Sequence, residues 1–354
     1  MIPINAASCV FPAGPDIALA DLALRSGFSL VRRHPFYVDR SGQRVTASYF
    51  NDPQGHFDIT RWQALTEAVM SDLLTRLAPI PEQTLKQAPW HVWLVLPEPS
   101  RPGVPPDLTH DLLPTLDTWP YELQSVEAIF GGHASGVMAI EAASQACAAD
   151  PLMIALVIAV DCLVSPESLM WMEEHNSLHG ARRLFKGHPR QNAYGRLPGE
   201  GAATLMLSQR RDLPAWSYIT GLAVGEESRT YDQTEPCTGQ GLTAVAQQAI
   251  EMAAQLQPRP INHLYHDYNG EPYRADEYGF AVLRLAEQLA PEYARHTPAL
   301  VSGDLGAASF ITHTALAAWA SRQQEDGASH LILASSDDPT RGALVLYGNK
   351  EETA

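Results

Sequence analysis

Short apolar runs alternate along this chain with longer stretches whose apolar residues recur every 3.6 positions. That alternation restricts it to a layered α/β protein. The runs at Ile2–Val10, His91–Leu96, Met153–Asp161, Ala202–Leu207, Ser217–Val224, His263–Asp267, Ala299–Ser302, His330–Ala334 and Gly342–Tyr347 read as strands. Between them, Ile59–Leu77 carries Trp62, Leu65, Ala68, Val69, Leu73 and Leu74 on one helical stripe. Leu242–Leu256 and Phe280–Leu289 repeat the pattern. A length of 354 residues allows two or three domains or one large α/β unit. Apolar residues at 45% and charged residues at 18% exclude a mostly disordered chain.

With 24 basic against 40 acidic residues, the formal charge of −16 argues against nucleic acid or an anionic membrane surface as the main partner. The longest apolar run, Leu152–Val160, is far shorter than the ~20 residues a membrane-spanning helix needs. The amino terminus lacks a positive side chain before its apolar stretch and does not read as a secretory signal. Cys9, Cys147, Cys162 and Cys237 show neither a CxxC pair nor zinc spacing, so reduced thiols in a cytoplasmic protein are expected. The proline-rich stretch 97–120 and the charged stretch 165–196 read as long excursions from the core. The polar segment Gln209–Pro214 divides the chain near its middle, and no short-period repeat points to a solenoid.

Three segments, in order, carry a family resemblance. Phe130-Gly-Gly-His-Ala-Ser-Gly-Val-Met-Ala-Ile-Glu-Ala-Ala-Ser144, followed by a strand ending in Asp161, resembles the nucleophile segment of β-ketoacyl synthases and their thiolase-fold relatives. Tyr194-Gly-Arg-Leu-Pro-Gly-Glu-Gly-Ala-Ala-Thr-Leu-Met-Leu207 is similar to the family's Gly-Glu-Gly-Ala turn. His266–Glu277 and Ser302–Ala308 look like the two loops that carry the catalytic histidines, matching mainly by order and spacing. The resemblance implies a five-layer αβαβα fold of two similar halves, here 1–212 and 213–354, commonly assembled as a homodimer.

At the family's catalytic positions the residue types are changed. Condensing enzymes place a cysteine at the amino end of a buried helix, where helix N–H groups stabilise the thiolate. His133 aligns there. An acyl-imidazole formed on it would hydrolyse readily and store an acyl group badly. The plain reading is a packed, hydrogen-bonded histidine filling a vacated site; the alternative is a new catalytic or ligand-binding use. The first histidine position aligns with Tyr268, counted back from Asp276. Its hydroxyl can donate but is a weak base near neutral pH. A shifted alignment would put His266 there instead, facing the same side of a strand as Tyr268. The second histidine position aligns with Ala307, whose methyl group can neither donate to an oxyanion nor take a proton. His313 lies six residues on, a core or helix-surface residue. The closing loop Ser335–Gly342 is polar where synthases are rich in glycine and phenylalanine.

Other constellations carry less. His175 and His179 would share a helical face beside Glu173 and Glu174 but lack the HExxH order. Ala134-Ser-Gly136 is not G-x-S-x-G, and Ser135 reads as a helix N-terminal hydroxyl. No GxxxxGK[ST] loop is present, and Cys237 reads as a neutral surface cysteine. No cofactor or metal is expected. The expectation is a non-condensing thiolase-like protein used as a binding or adaptor module, with a protein partner (an effector or a carrier protein) and a homodimeric or heterodimeric state. Asn269–Asp276 also looks like thiolase-like proteins encoded near type VI secretion effectors, which implies an accessory, chaperone-like role. The rivals are a divergent β-ketoacyl synthase, an acyl hydrolase or transferase built on His133, and a scaffold subunit of the chain-length-factor kind.

Overall fold

The structure, a computed structural model, describes residues 1–348 apart from 53–54, 186–187, 231–232, 234 and 324–326. The expected boundary at 354 and part of the 165–196 excursion therefore fall outside the described residues. The first part of the chain runs β1 (Ile2–Val10), α1 (Ile17–Ser26), β2 (Val31–Val38), β3 (Arg44–Ser48), α2 (Ile59–Leu77), α3 (Glu82–Lys86), β4 (Trp90–Leu96), α4 (Leu108–Leu116), β5 (Leu123–Phe130), α5 (Ser135–Ala149), β6 (Ile154–Cys162), α6 (Pro166–Glu174), β7 (Arg182–Phe185), β8 (His188–Gln191) and β9 (Glu200–Leu207). The remainder runs β10 (Ser217–Glu226), α7 (Gln240–Leu256), β11 (Ile261–Tyr265), α8 (Pro272–Arg284), β12 (Leu289–His296), α9 (Ala299–Ser302), a 3-10 turn (Gly306–Ala308), α10 (Ser309–Gln323), β13 (Ser329–Ser335) and β14 (Thr340–Gly348).

The main strands lie in the order β12-β11-β13-β14-β10-β1-β9-β6-β4-β5. Each half repeats one topology. Its second strand pairs in parallel with its third and fourth, while its fifth pairs antiparallel with its fourth and its first. The two first strands, β1 and β10, pair antiparallel through Ile2–Ile4 and join the halves. Parallel pairs need crossover connections: α4 links β4 to β5 and α8 links β11 to β12, while α5 and α10 carry the chain on to β6 and β13.

Those two helices touch strands of both halves, whereas α2 packs on the first half alone and α7 on the second. The result is helix, sheet, helix, sheet, helix: the thiolase-like architecture. The composition of α5 and α10 fits the middle layer. Helix α5 is mostly small and apolar, with Glu141 and Gln145 on an exposed side, and α10 buries residues round its whole circumference, from Ser309 to Trp319. Strand β6 is buried along its full length for the same reason, with α2 and α5 on its two faces.

Several expectations change. Ala299–Ser302, expected as a strand, is a single helical turn closed by Gly303 at φ 73°. The helix expected at Phe280–Leu289 spans Pro272–Arg284 instead, with Pro272 in its first turn; Leu289 opens a strand. Helix α6 ends at Glu174, so His175 and His179 do not share a helical face. His175 Nδ1 bonds the Trp171 carbonyl instead. The proline-rich excursion carries α4, whose Leu108, Leu112 and Leu116 are buried. Among the described residues no helix is long and apolar enough to cross a membrane.

Candidate functional site

Five backbone segments converge beside the amino end of α5: Gly131–Ser135, Arg196–Gly199, the β11–α8 connection, the turn around Asp304, and the β13–β14 turn. Gly306 makes the convergence possible. Its φ is 49°, and a Cβ there would stand 2.2 Å from Asp161 Oδ2. The same carboxylate oxygen accepts from the Ala307 amide at 2.8 Å and from Arg101 Nη1 at 2.8 Å. Asp161, at the end of β6, thereby fixes the position of Ala307.

His133 sits at this point, 4% exposed. Its Nε2 lies 2.7 Å from Asp304 Oδ1, and Arg274 Nη2 lies 3.1 Å from its Nδ1. A guanidinium can only donate, so Nδ1 accepts and the ring proton sits on Nε2, where it is donated to Asp304. Both ring nitrogens are thus occupied. With this tautomer the imidazole has no free lone pair with which to attack a thioester.

The partners of His133 are held in turn. Asp304 Oδ1 also accepts from the Gly306 amide at 2.9 Å, and Oδ2 accepts from Asn269 Nδ2 at 2.8 Å. Burial alone would raise the Asp304 carboxyl, but the His133 ring with its hydrogen bond, then Arg196 and Arg274, hold it well below the usual carboxylate range. Arg274 is fully spent. Nη1 donates to Asp267 Oδ2 at 2.9 Å and to the Ser335 carbonyl, Nη2 also to Asp337 Oδ1 at 2.9 Å, and Nε to Glu271 Oε2 at 3.3 Å. Arg196 Nη2 reaches the other oxygens of the same two carboxylates, Glu271 Oε1 at 3.1 Å and Asp337 Oδ2 at 2.9 Å. Glu271 and Asp337 therefore each bridge two guanidiniums, and the cluster is a closed, rigid ion network.

The polar closing loop takes part directly. Ser336 Oγ accepts from the Ala134 amide at 3.0 Å, covering the backbone donor next to His133. Ser135 Oγ donates to the Gly132 carbonyl at 2.6 Å, so the hydroxyl closes the preceding turn and does not cap the helix.

Above the network lies a cleft of about 310 Å³, with His133, Ala307, Gly132, Arg196, Trp171 and Asp337 on its wall. His133 and Ala307 are thus brought together, while Tyr268 and His266 are absent from that wall. Both lie past the end of β11, not on a strand. His266 Nδ1 accepts from the Tyr268 amide at 3.3 Å, its Nε2 shares a hydrogen bond with Thr297 Oγ1 at 3.0 Å, and its ring stacks on Tyr278 at 3.9 Å. Burial pushes the His266 imidazole down to about 3, with Arg295 and His296 adding to the effect. His313 is a core residue, likewise pushed down to about 3 by burial and then by the neighbouring imidazoles. Cys237, expected at the surface, is buried, and its thiol is pushed up to about 11, first by that burial.

The charged residues around His133 were passed over in sequence. Asp304, Glu271 and Arg274 stand in the segments that carry the resemblance, and Asp337 in the polar closing loop. The signal was there in outline: three polar loops brought by the fold to one helix end, with acids and arginines in excess of what solvation requires.

No family model matches the chain, and no curated protein matches its sequence. The fold does match solved structures. The ketosynthase from module 6 of the bacillaene synthase of Bacillus subtilis 168 superposes with a TM-score of 0.75 at 16% identity, covering 98% of this chain and 72% of that one. The ishigamide ketosynthase/chain length factor gives 0.72 at 18% identity, covering 98% of both chains. A type II PKS acyl-carrier protein in complex with its ketosynthase bound to the hexaketide gives 0.76 at 12% identity, covering 98% of this chain and 99% of that one. The chain therefore has the thiolase-like fold of ketosynthases. At these identities the likeness is one of fold, and what the site does must be argued from its own residues.

Proposed function

We propose that this protein does not condense acyl thioesters and acts as a binding or adaptor module on a ketosynthase-type scaffold, with halves 1–212 and 213–354. The observation that carries the reading is His133, held at both ring nitrogens between Arg274 and Asp304 where a synthase needs a free nucleophile. Ala307 offers only a methyl group to the cleft, and Tyr268 is off its wall. Loss of one preorganised donor costs about 10²–10³ in rate, and here the nucleophile is spent as well. The cleft remains as a recognition surface. Its partner would be a protein, either a carrier protein or a secretion effector. The effector reading draws on Asn269–Asp276, the segment that supplies Asn269, Glu271 and Arg274 to the network. A second copy or a related chain would dock on the open edge strand β5.

The test is an assay of the purified protein with malonyl- and acyl-thioesters. No release of thiol above the uncatalysed background is expected. Turnover that disappears in His133→Ala would overturn the reading in favour of a hydrolase or transferase.

A further inference from the structure

In the second half, three elements bring together Glu227, Cys237 and Glu277. Glu227 follows β10, Cys237 precedes the left-handed Gly239 that opens α7, and Glu277 lies on α8. One ligand atom from each lies within 4.8 Å of the other two, and the residues are 2%, 6% and 1% exposed.

The Cys237 sulfur accepts from the Gly239 amide at 3.4 Å and meets the Tyr273 hydroxyl, but the carboxylates are left with a deficit. Glu277 Oε1 accepts from Arg341 Nε at 2.6 Å, but its Oε2 is buried without a hydrogen-bond partner. The rest of Arg341 is turned to oxygens outside the two carboxylates: Nη1 is shared among the carbonyls of Ser336, Asp338 and Thr340, and Nη2 goes to Tyr273 Oη. Glu227 accepts backbone amides, from Arg229 at 3.3 Å and Gly241 at 2.8 Å. Among the described residues the guanidinium meets Glu277 and not Glu227, and Glu277 Oε2 is buried with no donor. Each such deficit is costly in a protein interior.

We propose that Glu227, Cys237 and Glu277 bind a divalent cation of the zinc class. A thiolate with two carboxylates is a donor set that suits zinc, whereas calcium and magnesium demand oxygen throughout. On binding, the Cys237 S–H bond breaks, the sulfur–metal bond forms, and the proton leaves to solvent. The thiolate, the two carboxylates, Arg341 and the dication then sum to neutrality. Bond lengths of about 2.0–2.3 Å in a tetrahedral site place ligand atoms about 3.5 Å apart, so the three groups close in by roughly 1 Å. The fourth position takes water or a second carboxylate oxygen. The ion ties α8 to the β10–α7 connection, and the inference stands apart from the reading of the cleft.

Cobalt(II) is the probe. The full-length protein, stripped with a chelator, is titrated with Co²⁺ both folded and during refolding from urea. A single equivalent should bind with a near-ultraviolet thiolate-to-cobalt charge-transfer band, and added Zn²⁺ should bleach it. Cys237→Ser should abolish the band, and Glu277→Gln should weaken binding at least about tenfold. Because Glu277→Gln also strips Arg341 of its partner, Glu227→Gln serves as the second carboxylate variant. The proposal is overturned if neither protocol gives the band, if the band survives in Cys237→Ser, or if both carboxylate variants bind as tightly as the parent.

Discussion

At the scale of the residue, His133 is a structural cross-link. It joins the turn before α5 to Asp304 on one side and to Arg274 on the other. Truncation to alanine leaves Asp304 and Arg274 with their remaining partners but removes one charge-assisted hydrogen bond each and opens space beneath the cleft. His133→Ala is therefore expected to lower the unfolding free energy by about 2–4 kcal/mol, measured by urea titration at neutral pH. An idle surface imidazole would give a change within about 0.5 kcal/mol, and that result would remove the cross-link.

At the scale of the element, the turn between α9 and α10 holds two glycines at positive φ, Gly303 and Gly306. Gly306→Ala would force a methyl group onto Asp161 Oδ2 and a side chain into the left-handed region. The expected loss is about 2–4 kcal/mol, seen as a drop in Tm. The control Gly27→Ala occupies a helix end at φ 68° with open space around its Cβ position, and should cost less. Helix α8 shows why its start escaped the apolar pattern. The residues it buries are Arg274, Glu277 and Ala281, so a charged face points inward and hydrophobic periodicity begins only late. Ala299–Ser302 is three apolar residues and a serine, a length at which a strand and a helical turn read alike. Strands β5 and β12, at the two ends of the sheet order, mix exposed and buried positions and left no continuous apolar run to detect.

At the scale of the whole molecule, buried imidazoles set the response to acid. Folded His266 and His313 take up a proton only near pH 3, whereas in the unfolded chain they do so near pH 6.5. Between those values the unfolded state binds more protons, so stability falls as pH falls. Each residue contributes up to about 1.4 kcal/mol per pH unit. Asp304, held below its ordinary value, adds a further loss at lower pH, once the unfolded carboxyl begins to protonate. Urea midpoints should decline steadily from pH 7 to pH 4.5. His313→Leu, which removes a ring whose Nδ1 has no partner, should reduce the loss between pH 6.5 and 5 by about 1–2 kcal/mol. An unchanged slope in that variant would show that His313 titrates normally in the folded state.

The layered fold was legible in the chain itself, because periodicity and apolar run length are local: β1 and α2 follow their expected bounds, and β4, β6, β9, β13 and β14 differ by one or two residues. The alignment of 133, 268 and 307 with the family's catalytic positions is an expectation drawn from a small-residue turn and from spacing, and their residue types were also legible. Whether those side chains meet was not. His133 and Ala307 share a wall while Tyr268 and His266 do not, and the acids and arginines that lock His133 come from loops up to 171 residues away. Hydrogen-bond partnership depends on direction and on distances of a few ångströms across the chain, and only the packing of one half against the other fixes those.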